Sequence, residues 1–268
     1  MISSLLKAAG ILAVLYFLLM TVFSLQQESF IFFPDRLPPA YRFNFDATPE
    51  EIFIPANDGK RLHGLLFKID QPKGVVYYLH GNAGSVASWG WAYPTYTSLG
   101  YDFFILDYRG YGKSEGEISG EEQFYDDVQA AYTHLKSRYP EDRIIVAGYS
   151  IGTAAAARIA AKNNPKLLLL QAPYYSLKDL AKSLYPFIPS FLIKYKFETY
   201  RFLKEVKAPI VIFHGAQDEI IYSGSSEKLR PLLKPGDKLI LLNGQGHNGM
   251  NENPEFKREL HAVLADQK

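Results

Sequence analysis

The sequence predicts an α/β domain built on a mostly parallel sheet of about eight strands with helices on both faces, behind one N-terminal transmembrane helix. Three observations predict it. Short apolar runs recur along the chain and alternate with helix-like segments, the pattern of strands joined by helical crossovers. Near the start, Ala8 to Leu25 holds about eighteen residues without a charge, close to the lower limit for a membrane span. Between them, an apolar strand, a glycine-flanked serine and an Ala-rich helix follow one another from Arg143 to Ala161.

The elements follow in chain order. Lys7 and the amino terminus precede the apolar run and Gln26-Gln27-Glu28 follow it, which favours insertion with the N-terminus inside and the domain outside the cytoplasm. A signal peptide cleaved near Val22-Phe23-Ser24, leaving a secreted domain, is the alternative. The length of the run and the lack of an A-x-A site favour the anchor. Residues 1–27 are therefore read as the anchor, 28–50 as an irregular connector containing Pro34, Pro38 and Pro39, and 51–268 as the main domain. Within it, Glu51–Pro55 and Leu62–Phe67 are strands about an Asn57-Asp58-Gly59 turn. Val75–Leu79, Phe103–Leu106, Arg143–Ala147, Leu167–Leu170, Ile210–Phe213 and Leu239–Leu242 continue the series. Gln123–Leu135 and Pro254–Leu264 are helical. Tyr174 to Lys204 is longer than a crossover requires and reads as a small lid. Leu177, Leu180 and Leu184 share one helical face there, Pro186 and Pro189 stop the helix, and Phe187 and Phe191 follow among lysines.

Composition sets limits. With 268 residues, 47% of them hydrophobic, the chain suits one large domain with its own core. A net charge of +1 is too balanced for a nucleic-acid partner. The absence of cysteine excludes disulfides, thiol nucleophiles and thiolate metal sites. The spacing of His, Asp and Glu suggests no metal site, and no fingerprint of an organic cofactor appears.

The chemistry points to Gly148-Tyr149-Ser150-Ile151-Gly152, a sharp strand-to-helix turn that lifts a serine hydroxyl above the sheet edge. A serine hydroxyl needs a base, and the base needs an orienting acid. Asp218 follows the strand ending at Phe213, with Glu219 as its rival, and His247 follows the strand ending at Leu242. Glu219 is expected to point away if Asp218 points inward. His80-Gly81-Asn82-Ala83-Gly84 follows the third strand, so the backbone N–H groups of Asn82 and Ile151 are the expected oxyanion donors. His80 reads as a residue that fixes its loop and His214 as a packed structural residue. Asp107-Tyr108-Arg109-Gly110-Tyr111-Gly112 reads as a tight loop whose arginine ties down carbonyls or a carboxylate.

From about Ile52 to the end, these five motifs in this order resemble the α/β-hydrolase superfamily. Within it they are similar to a branch of N-terminally anchored serine hydrolases related to depalmitoylases and serine aminopeptidases. The resemblance implies hydrolysis of an ester, thioester or amide without choosing among them. The reading is a membrane-anchored serine hydrolase with a Ser150–His247–Asp218 triad, no cofactor, and a small-molecule or lipid-like acyl substrate. Leu177, Leu180, Leu184, Phe187 and Phe191 are placed over the site as an apolar lid. A serine peptidase acting on short peptides and a non-catalytic membrane-bound interaction module of the same fold are the alternatives.

Overall fold

Burial on both faces is why the central strands read as unbroken apolar runs. The computed structural model describes residues 2–265, so Met1 and the last three positions of the 51–268 domain lie outside the described residues. Its main sheet contains β1 (Glu50–Pro55), β2 (Arg61–Phe67), β3 (Val75–Leu79), β4 (Asp102–Leu106), β5 (Ile144–Tyr149), β6 (Leu167–Gln171), β7 (Ile210–Gly215) and β8 (Lys238–Leu242). They lie in the order β1-β2-β4-β3-β5-β6-β7-β8. β1 and β2 form an antiparallel hairpin and β2 runs antiparallel to β4, while all later pairings are parallel.

Side chains alternate across the strands, so each strand feeds two cores. Val75, Tyr77, Leu79, Val146, Leu168, Leu170 and Ile212 face one core, which also holds residues of the helix Glu121–Lys136 and the Ala-rich helix Gly152–Lys162. Val76, Tyr78, Ile145, Ala147, Leu169 and Phe213 face the other, beneath the C-terminal helix Pro254–Ala265 with its Phe256, Leu260 and Val263. Each such fully buried aliphatic or aromatic side chain contributes roughly 1.5–3 kcal/mol. The crossover from β3 to β4 carries two short helices, Val86–Trp89 and Tyr93–Thr97, that the sequence pattern does not announce. They are too short for a helical period to emerge, and Gly90 and Pro94 lie within the crossover.

Two further features position the site. The first helix, α1 (Ile2–Leu25), exposes nearly all of its side chains, with Met20 buried, and at 1.5 Å per residue is roughly 36 Å long, enough to cross a bilayer core. A membrane anchor and a signal sequence both fit it. After the short helix α2 (Gln27–Ile31), the chain that reads as irregular contains a two-residue strand: Phe33 and Pro34 pair in parallel with Ala83 and Gly84. The N–H of Asp35 donates to Gly84 O and that of Gly112 to Asp35 O, so the start of the connector is stitched to two site loops.

The segment expected to form a lid contains α3 (Leu177–Leu184), capped by Ser176, whose Oγ accepts from the N–H of Asp179. Leu180 is buried, with Leu177 against the same core, and that core cluster also includes Ile151. Leu184, Phe187 and Phe191 are exposed.

Candidate active site

The turn after β5 is strained. Ser150 has φ +52°, a left-handed conformation that an L-residue adopts only when its surroundings enforce it. Its N–H donates to Gln171 O at the end of β6, and its carbonyl accepts from the N–H and Oγ1 of Thr153. Glycine is required on both sides by close approach. A β-carbon at Gly148 would lie 2.6 Å from Gly152 O and 2.8 Å from Ala156 Cβ, and one at Gly152 would lie 2.2 Å from Leu79 O.

The loops after β7 and β8 bring two partners to this serine. His247 Nε2 lies 3.2 Å from Ser150 Oγ, and His247 Nδ1 lies 2.8 Å from Asp218 Oδ2. All three residues are buried. Burial opposes ionisation of Asp218. Hydrogen bonds from His214, His247 and the backbone N–H of Ile221 outweigh it and hold the carboxyl well below the usual carboxylate range. An ionised carboxylate only accepts, so the proton of neutral His247 sits on Nδ1 and its Nε2 lone pair faces the serine hydroxyl. The arrangement can therefore take a proton from Ser150 Oγ and stabilise the imidazolium that results.

The loop after β3 lies beside this chain. Among the described residues, the N–H groups of Asn82 and Ile151 donate to no protein acceptor. His80 is buried and its Nδ1 lies 2.7 Å from Gly81 O; a carbonyl cannot donate, so Nδ1 carries the proton. Burial lowers the His80 pKa from its usual value and so favours the neutral ring. The Asp107–Gly112 loop buttresses the same strip of backbone. Tyr108 Oη donates to His80 O, Tyr111 Oη to Asn82 O, and Asp107 Oδ1 accepts from the N–H of Val86. Arg109 ties this loop to Asp127 and Asp58.

This fold and site fit a recognisable family. The Alpha/beta hydrolase domain-containing protein WAV2 of Arabidopsis thaliana is 30% identical to the chain over 224 residues, covering 73% of the chain and 71% of WAV2. The chain is an α/β hydrolase. A family model described as serine aminopeptidase, S33, matches residues 70–201 of this hydrolase, a stretch that includes Ser150 but ends before Asp218. Protein bem46 of Schizosaccharomyces pombe is 28% identical over 241 residues, covering 82% of the hydrolase and 79% of bem46. The esterase Pf2001 of Pyrococcus furiosus superimposes with a TM-score of 0.67 at 20% identity, covering 88% of the hydrolase and 96% of Pf2001, a likeness of fold.

Sequence reasoning missed part of the hydrolase's site. His214 does more than pack. Its Nδ1 lies 2.6 Å from Ser226 Oγ and its Nε2 2.7 Å from Ile221 O, so Nε2 carries the proton and also faces Asp218 Oδ2 at 3.3 Å. Oδ1 of Asp218 accepts from the N–H groups of Ile220 and Ile221. Glu219 does not point away, contrary to expectation: its Oε2 accepts from the backbone N–H of His247 at 3.2 Å. It turns back because the orphan donor of the histidine loop lies within its reach. Tyr149, whose hydroxyl donates to His247 O, holds the same loop from below. A cavity of about 230 Å³ opens beside His247, lined by Ser88, Trp89, Trp91, Tyr149, Asn248 and Glu252 among others. Among the described residues, no three His, Asp or Glu side chains group as a metal site.

Proposed function

We propose that this hydrolase cleaves carboxylic esters or thioesters through an acyl-enzyme on Ser150. The observation that carries the reading is the unbroken chain Asp218–His247–Ser150 beside two free backbone N–H groups. Ser150 Oγ attacks the acyl carbonyl while His247 Nε2 takes its proton. The N–H groups of Asn82 and Ile151 hold the oxyanion. The tetrahedral intermediate collapses, and His247 returns the proton to the leaving alcohol or thiol. Water then enters, gives a proton to His247, and its oxygen attacks the acyl carbon. Release of the carboxylic acid returns the proton to Ser150. A second reading, a serine peptidase acting on short peptides, is favoured by the description of the matching family model. A panel of acyl esters, acyl thioesters and aminoacyl-anilides at equal concentration tests the choice. Esters or thioesters turning over faster than every anilide supports the first reading, and the reverse order supports the second.

The pH dependence follows from which group changes charge. Asp218 stays ionised throughout the neutral range, so the activity profile gains no limb from it. The reaction needs the lone pair of the imidazole base, so kcat/KM is expected to rise with pH across the neutral range to a plateau. A profile that falls through this range contradicts a neutral base.

The apolar helix is read as an uncleaved anchor, with the domain on the side of the membrane opposite the amino terminus. The full chain is expected to stay with membranes through high salt and alkali. A mature N-terminus near Leu25 contradicts the anchor. Because an anchored site meets lipid-like acyl groups, kcat/KM is expected to rise from acetyl to medium-length esters. Each covered methylene contributes about 0.8 kcal/mol, roughly fourfold. Leu177 and Leu180 are assigned to the acyl side of the lid, and Leu177→Ala is expected to flatten the trend. A trend that is flat in the parent contradicts a lipophilic acyl pocket.

A further inference from the structure

The lid segment leaves an apolar turn uncovered. Leu184-Tyr185-Pro186-Phe187-Ile188-Pro189-Ser190-Phe191 carries no charge. Leu184, Tyr185, Phe187 and Phe191 are 46%, 51%, 57% and 82% exposed. Large apolar side chains gathered this way mark a surface that something covers.

We propose that this turn is a second membrane contact, entering the same leaflet as the C-terminal half of α1 and fixing the domain's depth and tilt. The proposal rests on the reading of α1 as an uncleaved anchor. α1 and the lid are joined at two levels. Tyr16, within α1, donates its hydroxyl to Phe187 O at 2.8 Å. Gln27, just beyond α1 and fully buried, donates its Nε2 to Leu192 O at 2.6 Å and accepts from the N–H of Lys194 at 2.8 Å. Glu28 accepts from Tyr195 Oη.

The depth follows from helix geometry. From Tyr16 to Leu25 the helix rises roughly 13 Å. Half of a bilayer's hydrocarbon core is about 15 Å. When α1 spans with Leu25 near the interface, a backbone carbonyl held by Tyr16 lies well inside the leaflet. A spanning α1 and the Tyr16–Phe187 contact together leave the turn no aqueous position.

The turn's backbone is paired in part for that depth, while the N–H groups of Phe187, Ser190 and Phe191 donate to no protein acceptor among the described residues. An unpaired N–H in hydrocarbon costs several kcal/mol. Pro186 and Pro189 have none. The N–H groups of Tyr185, Ile188 and Leu192 donate to Ala181 O, Tyr185 O and Pro189 O, and Phe187 O is occupied by Tyr16. Charge returns on both sides of the turn, at Lys178 and Lys182 before it and at Lys194 and Lys196 after it. Lysines on either side of an apolar insertion suit the headgroup boundary. The geometry also ties the site to the bilayer, because the strand following α2 pairs with Ala83 and Gly84, next to Asn82.

The absence of cysteine makes a direct test simple. Phe187→Cys, Phe191→Cys and, as a reference on the exposed side of the C-terminal helix, Lys257→Cys are each made in the full chain and labelled with an environment-sensitive fluorophore. The chains are reconstituted into phosphatidylcholine vesicles containing some phosphatidylglycerol, with a nitroxide either near the headgroup or at mid-chain. Labels at 187 and 191 are expected to emit to the blue of the label at 257. They are expected to lose most of their emission to nitroxide lipids, with the label at 257 unaffected. Tyr16→Phe, which removes only the hydroxyl, is expected to move the 187 label towards the headgroup nitroxide. Labels at 187 and 191 that behave like the one at 257, in chains that survive an alkaline wash on the vesicles, overturn the proposal and leave the anchor standing. Labels shielded from aqueous iodide yet insensitive to nitroxide lipids also overturn it, since a protein surface or a second copy then covers the turn. A chain stripped from the vesicles by alkali overturns both the proposal and the anchor.

Discussion

Ser150→Ala is expected to lower turnover by about 10⁶-fold and to abolish labelling by a fluorophosphonate, with the chain still folded. The loss is large because the hydroxyl is the atom that bonds to substrate, and His247 Nε2 has no other serine to activate within its hydrogen bonds. His247→Ala is expected to cost nearly as much, since nucleophile and base act as a unit. Folding is spared because the elbow is held by its neighbours: the Ser150 N–H donates to Gln171 O and the Ser150 carbonyl caps Thr153, neither involving the hydroxyl. The strain at φ +52° supplies an internal control. Glycine adopts that conformation without strain and alanine only at a cost, so Ser150→Gly is expected to melt about 2–4 °C above Ser150→Ala. Equal melting temperatures for the two variants contradict strain at this position.

Asp218→Asn is expected to lower kcat about 10³–10⁴-fold while Glu219→Gln changes it little. The asparagine fills the same space, but its amide can donate to Nδ1 of His247, which moves the imidazole proton to Nε2 and removes the base. Glu219 meets the histidine only through its backbone N–H, and a glutamine oxygen can accept that bond equally well. The two effects in reverse order would assign the acid to Glu219. A linkage test accompanies this. The native pKa of Asp218 is depressed, so its ionised form stabilises the fold fully above the unfolded carboxylate value of about 3.9. That contribution is lost as pH falls towards the lower native value. Asp218→Asn lacks it, so acidification below about pH 4 is expected to destabilise the variant less than the parent.

The strands were legible because their environment repeats. A strand buried on both faces favours apolar residues on both sides, and β3 has them throughout, as do Ile144–Ala147 of β5, Leu167–Leu170 of β6 and Ile210–Phe213 of β7. The elbow was legible because its steric demands act on neighbouring residues: glycine at 148 and 152 is forced by contacts within the strand–turn–helix unit and with the adjacent β3. Long-range polar contacts were not legible. The His214–Asp218 approach and the turn of Glu219 back to His247 depend on how two loops meet above the sheet, which no local pattern records. The pairing of Phe33 and Pro34 with Ala83 and Gly84 is backbone to backbone and leaves no side-chain signature. The Tyr16 contact with Phe187 joins residues 171 positions apart, and an exposed apolar turn carries the same composition as a buried one.

The central claim is that Ser150 is the nucleophile. Its most direct test is to treat the full chain with a fluorophosphonate, follow residual ester turnover, and map the adduct by mass spectrometry of the peptides. The account predicts one adduct per chain, on the peptide carrying Ser150, formed in step with the loss of turnover and absent from Ser150→Ala. An adduct on a different residue that accounts for the lost turnover, or full turnover in a chain whose Ser150 is modified, would contradict it.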